Sequence, residues 1–135
     1  MNVILSIHPK WAKLIYEGKK TIEWRKSQQL YSKFEFNQID KVFIYETTPV
    51  CRVTGYFILE GFRDVNLKYD SGYNQQLMYR GCVSHEELLK YQGGSNNLVA
   101  WLIEQAVKFD DPKSLEDFGL KRPPQSWCYT EVCVK

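Results

Sequence analysis

Lys20, Glu23 and Arg25 bring two cations and a carboxylate into one short stretch. Such cations attract phosphate, and a carboxylate among them can accept from an exocyclic amine or an imino N–H of a nucleobase. The same residues also suit an ion-pair network in which Glu23 is held between the two cations, tying a helix to a sheet. Further on, Tyr45 and Thr47 precede a Thr48-Pro49 turn, and Arg122, Gln125, Ser126 and Trp127 stand together late in the chain. Rings beside basic and amide side chains meet the needs of an unpaired base, which is stacked on aromatics and bonded along its edges. Gln125 and Ser126 serve equally well as caps of the adjacent turn. The chain has four Trp, nine Tyr and seven Phe, more than one site can use, so most of them must be core. Trp24 and Trp101 are assigned to the core, and Trp127 to either role.

The elements that must position the charged trio are legible around it. Pro9 suits the first position of a helix whose Trp11, Leu14 and Ile15 fall three and four apart on one face. Gly18 can take the left-handed conformation that closes a helix, and Lys19 and Lys20 follow where the dipole favours cations. From Thr21 the pattern alternates, with Ile22 and Trp24 on one side and Thr21, Glu23 and Arg25 on the other, as in a strand with one buried face. Lys20, Glu23 and Arg25 are then expected to share one surface.

Gly18, Lys20, Glu23 and Arg25 match the GxKxxExR signature of the ASCH family, and the chain resembles its short, stand-alone bacterial and archaeal members. The resemblance continues through Ile44-Tyr45-Glu46-Thr47-Thr48-Pro49-Val50 and the run from Leu120 to Tyr129. It implies an α+β fold, a PUA-like mixed β-barrel with a short helix over one opening, further helices in an insertion between strands, and a single domain over 1–135. It also implies that the motif lies in a cleft beside the first helix of an RNA- or nucleotide-binding module linked to transcription or translation. Lys20, Glu23, Arg25, Tyr45, Thr47, Arg122, Gln125, Ser126 and Trp127 are the expected binding residues.

Two activities reported among ASCH proteins are weighed against simple binding. Some small members remove the acetyl group from acetylated cytidine nucleosides with a Lys, a Thr and a distant Glu. Lys20 matches that Lys, but Glu23 occupies the position of the nucleophilic Thr, and a carboxylate does not replace a hydroxyl in acyl transfer without a change of mechanism. A rearranged triad would need Thr21 with Glu46 or Glu60. In RNA cleavage, Lys20 or Arg25 would stabilise charge on phosphate while Glu23 acted as base. No catalytic residue is assigned; Lys20 and Glu23 are the candidates if the chain is an enzyme.

Composition bounds the remaining classes. A chain of 135 residues is long enough for a real core without staples, and 44% hydrophobic residues argue against disorder. Its formal net charge of +2 means that any affinity for nucleic acid must come from local clustering. Cys51, Cys82, Cys128 and Cys133 form no CxxC pair, and His8 and His85 follow no zinc-ligand spacing, so neither metal nor cofactor is expected. No charged-then-apolar leader follows Met1 and no apolar run is long enough to cross a bilayer. Cytoplasmic residence with reduced thiols and no membrane role is therefore expected, with the oligomeric state open.

Along the rest of the chain, Met1 to Ile7 is predicted as a strand, with Val3, Leu5 and Ile7 alternating against Asn2, Ile4 and Ser6. His8 is a candidate cap for the first helix. A polar loop is expected after Arg25 up to Asp40, then strands over Lys41 to Glu46 and Val50 to Leu59 joined by the Thr47-Thr48-Pro49 turn. Leu77 to Tyr79 suggest a short helix. Ser84 to Glu87 form a capping box for another, ended by Gly93-Gly94. Leu98 to Phe109 fits both helical and strand periods and is assigned as strand on the family resemblance. Leu115, Phe118 and Leu120 are expected to anchor an irregular segment, and Trp127 to Val134 to close the sheet.

Overall fold

The computed structural model describes residues 1–26, 39–65, 80–92 and 98–131. The expected loop between Arg25 and Asp40, the helix around Leu77 to Tyr79, the Gly93-Gly94 stop and the end of the last strand at Val134 fall wholly or largely outside them. Within them the order is β1 (Asn2–Ile7), α1 (Pro9–Tyr16), β2 (Ile22–Lys26), β3 (Val42–Glu46), β4 (Arg52–Val65), α2 (His85–Gln92), β5 (Leu98–Lys113), a 3-10 helix (Leu115–Phe118) and β6 (Trp127–Thr130).

The strands form one mixed sheet in the order β2-β5-β4-β3-β1-β6, in which β1 and β3 run parallel and the other neighbours antiparallel. β4 and β5, 14 and 16 residues long, pair along most of their length. Register shifts interrupt that ladder at Val53/Gly55, Ile58/Leu59 and Leu59/Gly61. Bulges of this kind bend a strand and increase its twist, so the sheet curls into a half-barrel. The curl brings Trp101 on β5 to 6.3 Å from Trp127 on β6, although the two strands are far apart in sheet order.

Both faces of the sheet are covered. Inside the curl, Val3, Leu5, Ile7, Ile44, Phe57, Leu59, Val99 and Trp101 pack with Ala12 and Ile15 of α1. Outside, Ile22, Trp24, Leu98, Ala100 and Leu102 pack with Leu88 of α2. A third cluster joins Ile4, Phe43, Tyr45 and Val53 to Phe118, with Leu115 and Leu120 partly buried against it. Phe118 is 2% exposed, and its burial is worth about 1.5 to 3 kcal/mol. Ile4, expected opposite the buried face of β1, is thus buried too, and all of β3 from Val42 to Glu46 is buried. Strands covered on two sides lose the polar alternation that marks a strand facing water on one.

The local signals hold. His8 caps α1, its Nδ1 accepting from Lys10 N–H at 3.4 Å, and Gly18 stands at φ +76° just beyond the helix. Ser84 Oγ accepts the Glu87 N–H at 3.2 Å, and its hydroxyl donates to Glu87 Oε1 at 3.3 Å. Among the described residues, no helix is long and apolar enough to cross a membrane.

Candidate nucleic-acid interface

β2 is an edge strand, and its register with β5 sets Glu23 opposite Trp101 and Arg25 opposite Val99, residues of the inner cluster. Ile22 and Trp24 point the other way, under α2. β2 therefore has both faces covered, not one as its alternation predicts. Beside β2 opens a cleft of about 290 Å³ lined by Trp11 of α1, Lys20, Glu23, Trp24 and Arg25 around β2, and Val83, Glu87, Leu88 and Tyr91 around α2. The three charged residues do come together.

They are not surface charges. Lys20 is 1% exposed and donates from Nζ to the Gly81 carbonyl. It is not the solvated helix-end cation that its place after Gly18 suggests. Burial pushes its pKa below the ordinary 10.5, opposed by the attraction of Glu23. Its ammonium also lies 5.1 Å from the Trp11 ring centre, within cation–π range, with the Lys10 ammonium at 4.7 Å.

Glu23 is 7% exposed and reaches Arg25 only loosely, Oε1 to Nε at 3.9 Å. Glu23 Oε2 and Arg25 Nε are both buried without a hydrogen-bond partner among the described residues. The remaining nitrogens of Arg25 are engaged elsewhere: Nη2 donates to Ser6 O at 2.7 Å and Nη1 to Ser126 Oγ at 3.1 Å. Arg25 thus links the β2 edge to β1 and to the residue before β6. The ion-pair network with Glu23 between two cations is not what forms, since Lys20 turns to a carbonyl and Arg25 to the opposite edge.

Of the other expected site residues, only Ser126 is drawn towards the trio, through Arg25. Trp127 packs on Trp101 and, at 5.1 Å, on Tyr129, inside the curl. Tyr45 is 5% exposed in the cluster with Ile4 and Phe43, and Thr47 holds the end of β3 by donating its N–H to Ile7 O. Arg122 and Gln125 are exposed and do not line the cleft. For the rearranged triad, Thr21 Oγ1 accepts from Arg80 Nε at 3.0 Å, Arg80 pairs with Glu60 at 3.7 Å, and Glu46 lines a separate pocket with Tyr16. These groups do not assemble around one reacting atom.

Trp11 and Gly81, with Val83, Glu87, Leu88 and Tyr91 on the α2 side, are contributors that sequence reasoning missed. Trp11 falls on the apolar stripe of α1 and so reads as core. Gly81 carries no local signal, although a Cβ there would stand 2.3 Å from Trp24 Nε1. Gly81→Ala must displace a rigid indole and, with it, the carbonyl that receives Lys20. A loss of about 1 to 3 kcal/mol is expected in urea unfolding, with a changed tryptophan emission; an unaltered midpoint and spectrum would contradict the close packing.

A family model for the ASCH domain matches residues 5–113. The chain is 24% identical over 128 residues to the large ribosomal subunit protein uL22 of Ureaplasma parvum serovar 3, an alignment covering 95% of this chain and 39% of that protein. It therefore spans well under half the length of that relative. It is 29% identical over 141 residues to the ASCH domain-containing ribonuclease of Zymomonas mobilis, covering 99% of this chain and 88% of that protein. The crystal structure of ASCH from Zymomonas mobilis superposes with a TM-score of 0.76 at 24% identity, over 95% of this chain and 86% of that one, the same half-barrel fold.

Proposed function

The chain belongs to the ASCH domain family, and on that premise we propose that it binds single-stranded RNA or a nucleotide, holding an unpaired base in the cleft of Lys20, Glu23 and Arg25. The observation that carries this is an acceptor at Glu23 Oε2 and a donor at Arg25 Nε, two of the three buried groups on cleft residues without a partner among the described residues, Trp24 Nε1 being the third. Buried polar groups without partners are costly, and functional sites are where such a cost persists. Base edges carry donors and acceptors side by side, so a base turning into the cleft supplies the missing bonds to both. Trp11 and Trp24 offer rings on the walls. A relative named as a ribonuclease supports RNA as the polymer.

Cleavage of the bound strand is the second reading, favoured by that relative's name and by the depressed pKa of Lys20. In it Glu23 takes the proton of a ribose 2′-hydroxyl, the O2′–P bond forms, and the P–O5′ bond breaks as Lys20 gives a proton to the departing oxygen. Arg25 would offset the phosphate charge.

Incubation with labelled single-stranded RNA and with acetylated cytidine separates the outcomes as retained RNA, cut RNA or deacetylated product. Retention is expected, falling with salt at a log–log slope of about −0.7 per phosphate neutralised. The isosteric Glu23→Gln keeps an acceptor but loses the charge, and is expected to change selectivity among bases more than retention itself. No retention and no cleavage of any RNA would end the proposal; salt-independent affinity would redirect it to a small neutral ligand.

A further inference from the structure

A second pocket of about 540 Å³ lies on the opposite flank of α1, lined by Pro9, Lys13, Tyr16, Glu17, Glu46 and Lys108. At 3.6 residues per turn, Ala12 and Ile15 face the core, Trp11 falls on the flank of the Lys20 cleft, and Pro9, Lys13 and Tyr16 fall on the other. Lys10 stands exposed on the crest between the two.

This pocket carries a carboxylate whose oxygens reach solvent and meet no protein group among the described residues. Glu46 is 9% exposed, and its carboxylate has no hydrogen bond or ion pair to a described residue. Beside it the Tyr16 hydroxyl is hydrogen-bonded to Thr54 Oγ1 at 2.7 Å. Lys108 Nζ stands 5.8 Å from the centre of the Tyr16 ring, and Lys13 is exposed at the rim. The other carboxylate, Glu17, is offset by Lys19 at 3.6 Å. A carboxylate and a ring on the wall repeat, with different residues, what the first cleft has across the helix, but here the cations Lys13 and Lys108 are exposed at the mouth.

We propose that this pocket is a second nucleotide subsite, in which Glu46 accepts from the amine or imino edge of a base while Lys13 and Lys108 hold the adjoining phosphate. It rests on the RNA-binding reading of the first cleft: one single strand crosses α1 at Lys10, with one base on each flank. Two linked subsites raise affinity for an oligonucleotide far above that for a mononucleotide without any new contact.

The test follows amide chemical shifts of the full chain on titration with the four nucleoside 5′-monophosphates and with RNA hexamers, alongside hexamer affinities. Hexamers are expected to shift amides around Lys20–Arg25 and also around Tyr16, Glu46 and Lys108. Glu46→Gln, and separately Lys13→Ala with Lys108→Ala, are expected to weaken hexamer binding by about tenfold or more without altering the shifts at Lys20–Arg25. Should Glu46→Gln fail to fold, the double lysine variant, whose side chains are exposed, carries the test. Shifts confined to the first cleft, with both variants binding hexamers as the parent does, would overturn the subsite and leave the cleft standing. Shifts at the second pocket alone would remove the cleft and overturn the strand crossing α1 with it; shifts at neither would overturn both.

Discussion

Lys20→Ala is expected to cost about 1 to 3 kcal/mol of stability in urea unfolding, the range for leaving a buried hydrogen-bonding group without its partner. The truncation leaves the Gly81 carbonyl without its donor, removes an ammonium from the Trp11 ring and weakens the electrostatic support of Glu23. This replaces the expectation, natural for a charged residue after a helix stop, that the position is solvent-facing and tolerant. The pH dependence has a definite sign. The folded-state pKa lies below the ordinary 10.5, so between those two values the unfolded chain binds more protons and stability rises with pH. Below the folded-state pKa the cost of burying the charge is present in full. The stability of the parent relative to Lys20→Met should therefore grow as pH climbs through the folded-state pKa towards 10.5. A difference flat across that range would mean that Lys20 is not held in a desolvated place.

Arg25→Ala is expected to cost about 2 to 4 kcal/mol, because two hydrogen bonds from a charged group, each worth about 1.5 to 3 kcal/mol, are lost together with their shared ordering. Those bonds run from the β2 edge to Ser6 on β1 and to Ser126 before β6, so the loss should loosen the curl of the sheet. Amide exchange at Ser6, whose N–H donates to Ser126 O, should quicken. Arg25→Lys discriminates. An ammonium is a point donor and cannot span both acceptors as a planar fork does, so Lys should recover only a small part of the loss. Full recovery would show that charge alone matters there. RNA retention by Arg25→Ala has to be compared at matched folded fraction, since a loosened cleft weakens binding for structural reasons as well.

The structure also separates what the family signature implied from what each residue does. Four residues between Gly18 and Arg25 mark the family, and the three charged ones converge, because a stop at Gly18 and a two-residue alternation in β2 are local properties. Tyr45 and Trp127 carried an equally reasonable case as stacking residues, and both pack into hydrophobic clusters instead. Nothing near either in sequence distinguishes an aromatic ring that stacks on a base from one that stacks on Phe43 or Trp101. Leu98 to Phe109 shows the same limit. Its apolar residues satisfy a helix as well as a strand, and pairing with β4 on one side and β2 on the other makes it the long strand β5.

By itself the amino-acid sequence determined the elements whose cause is short-range: the Pro9 helix with its His8 cap and Gly18 stop, the extended β2, the hairpin around Thr47 to Pro49, and the anchoring of Phe118. Tertiary structure alone decided burial and partnership. Lys20 became a buried donor because Gly81, 61 residues away, offers a carbonyl at the cleft. Arg25 became a clasp because the bulged β4–β5 ladder curls one edge of the sheet towards Ser126, 101 residues on. A side chain's charge and spacing are written locally, but the dielectric around it and the group it meets depend on which distant segments close over it, and those follow only from the whole fold.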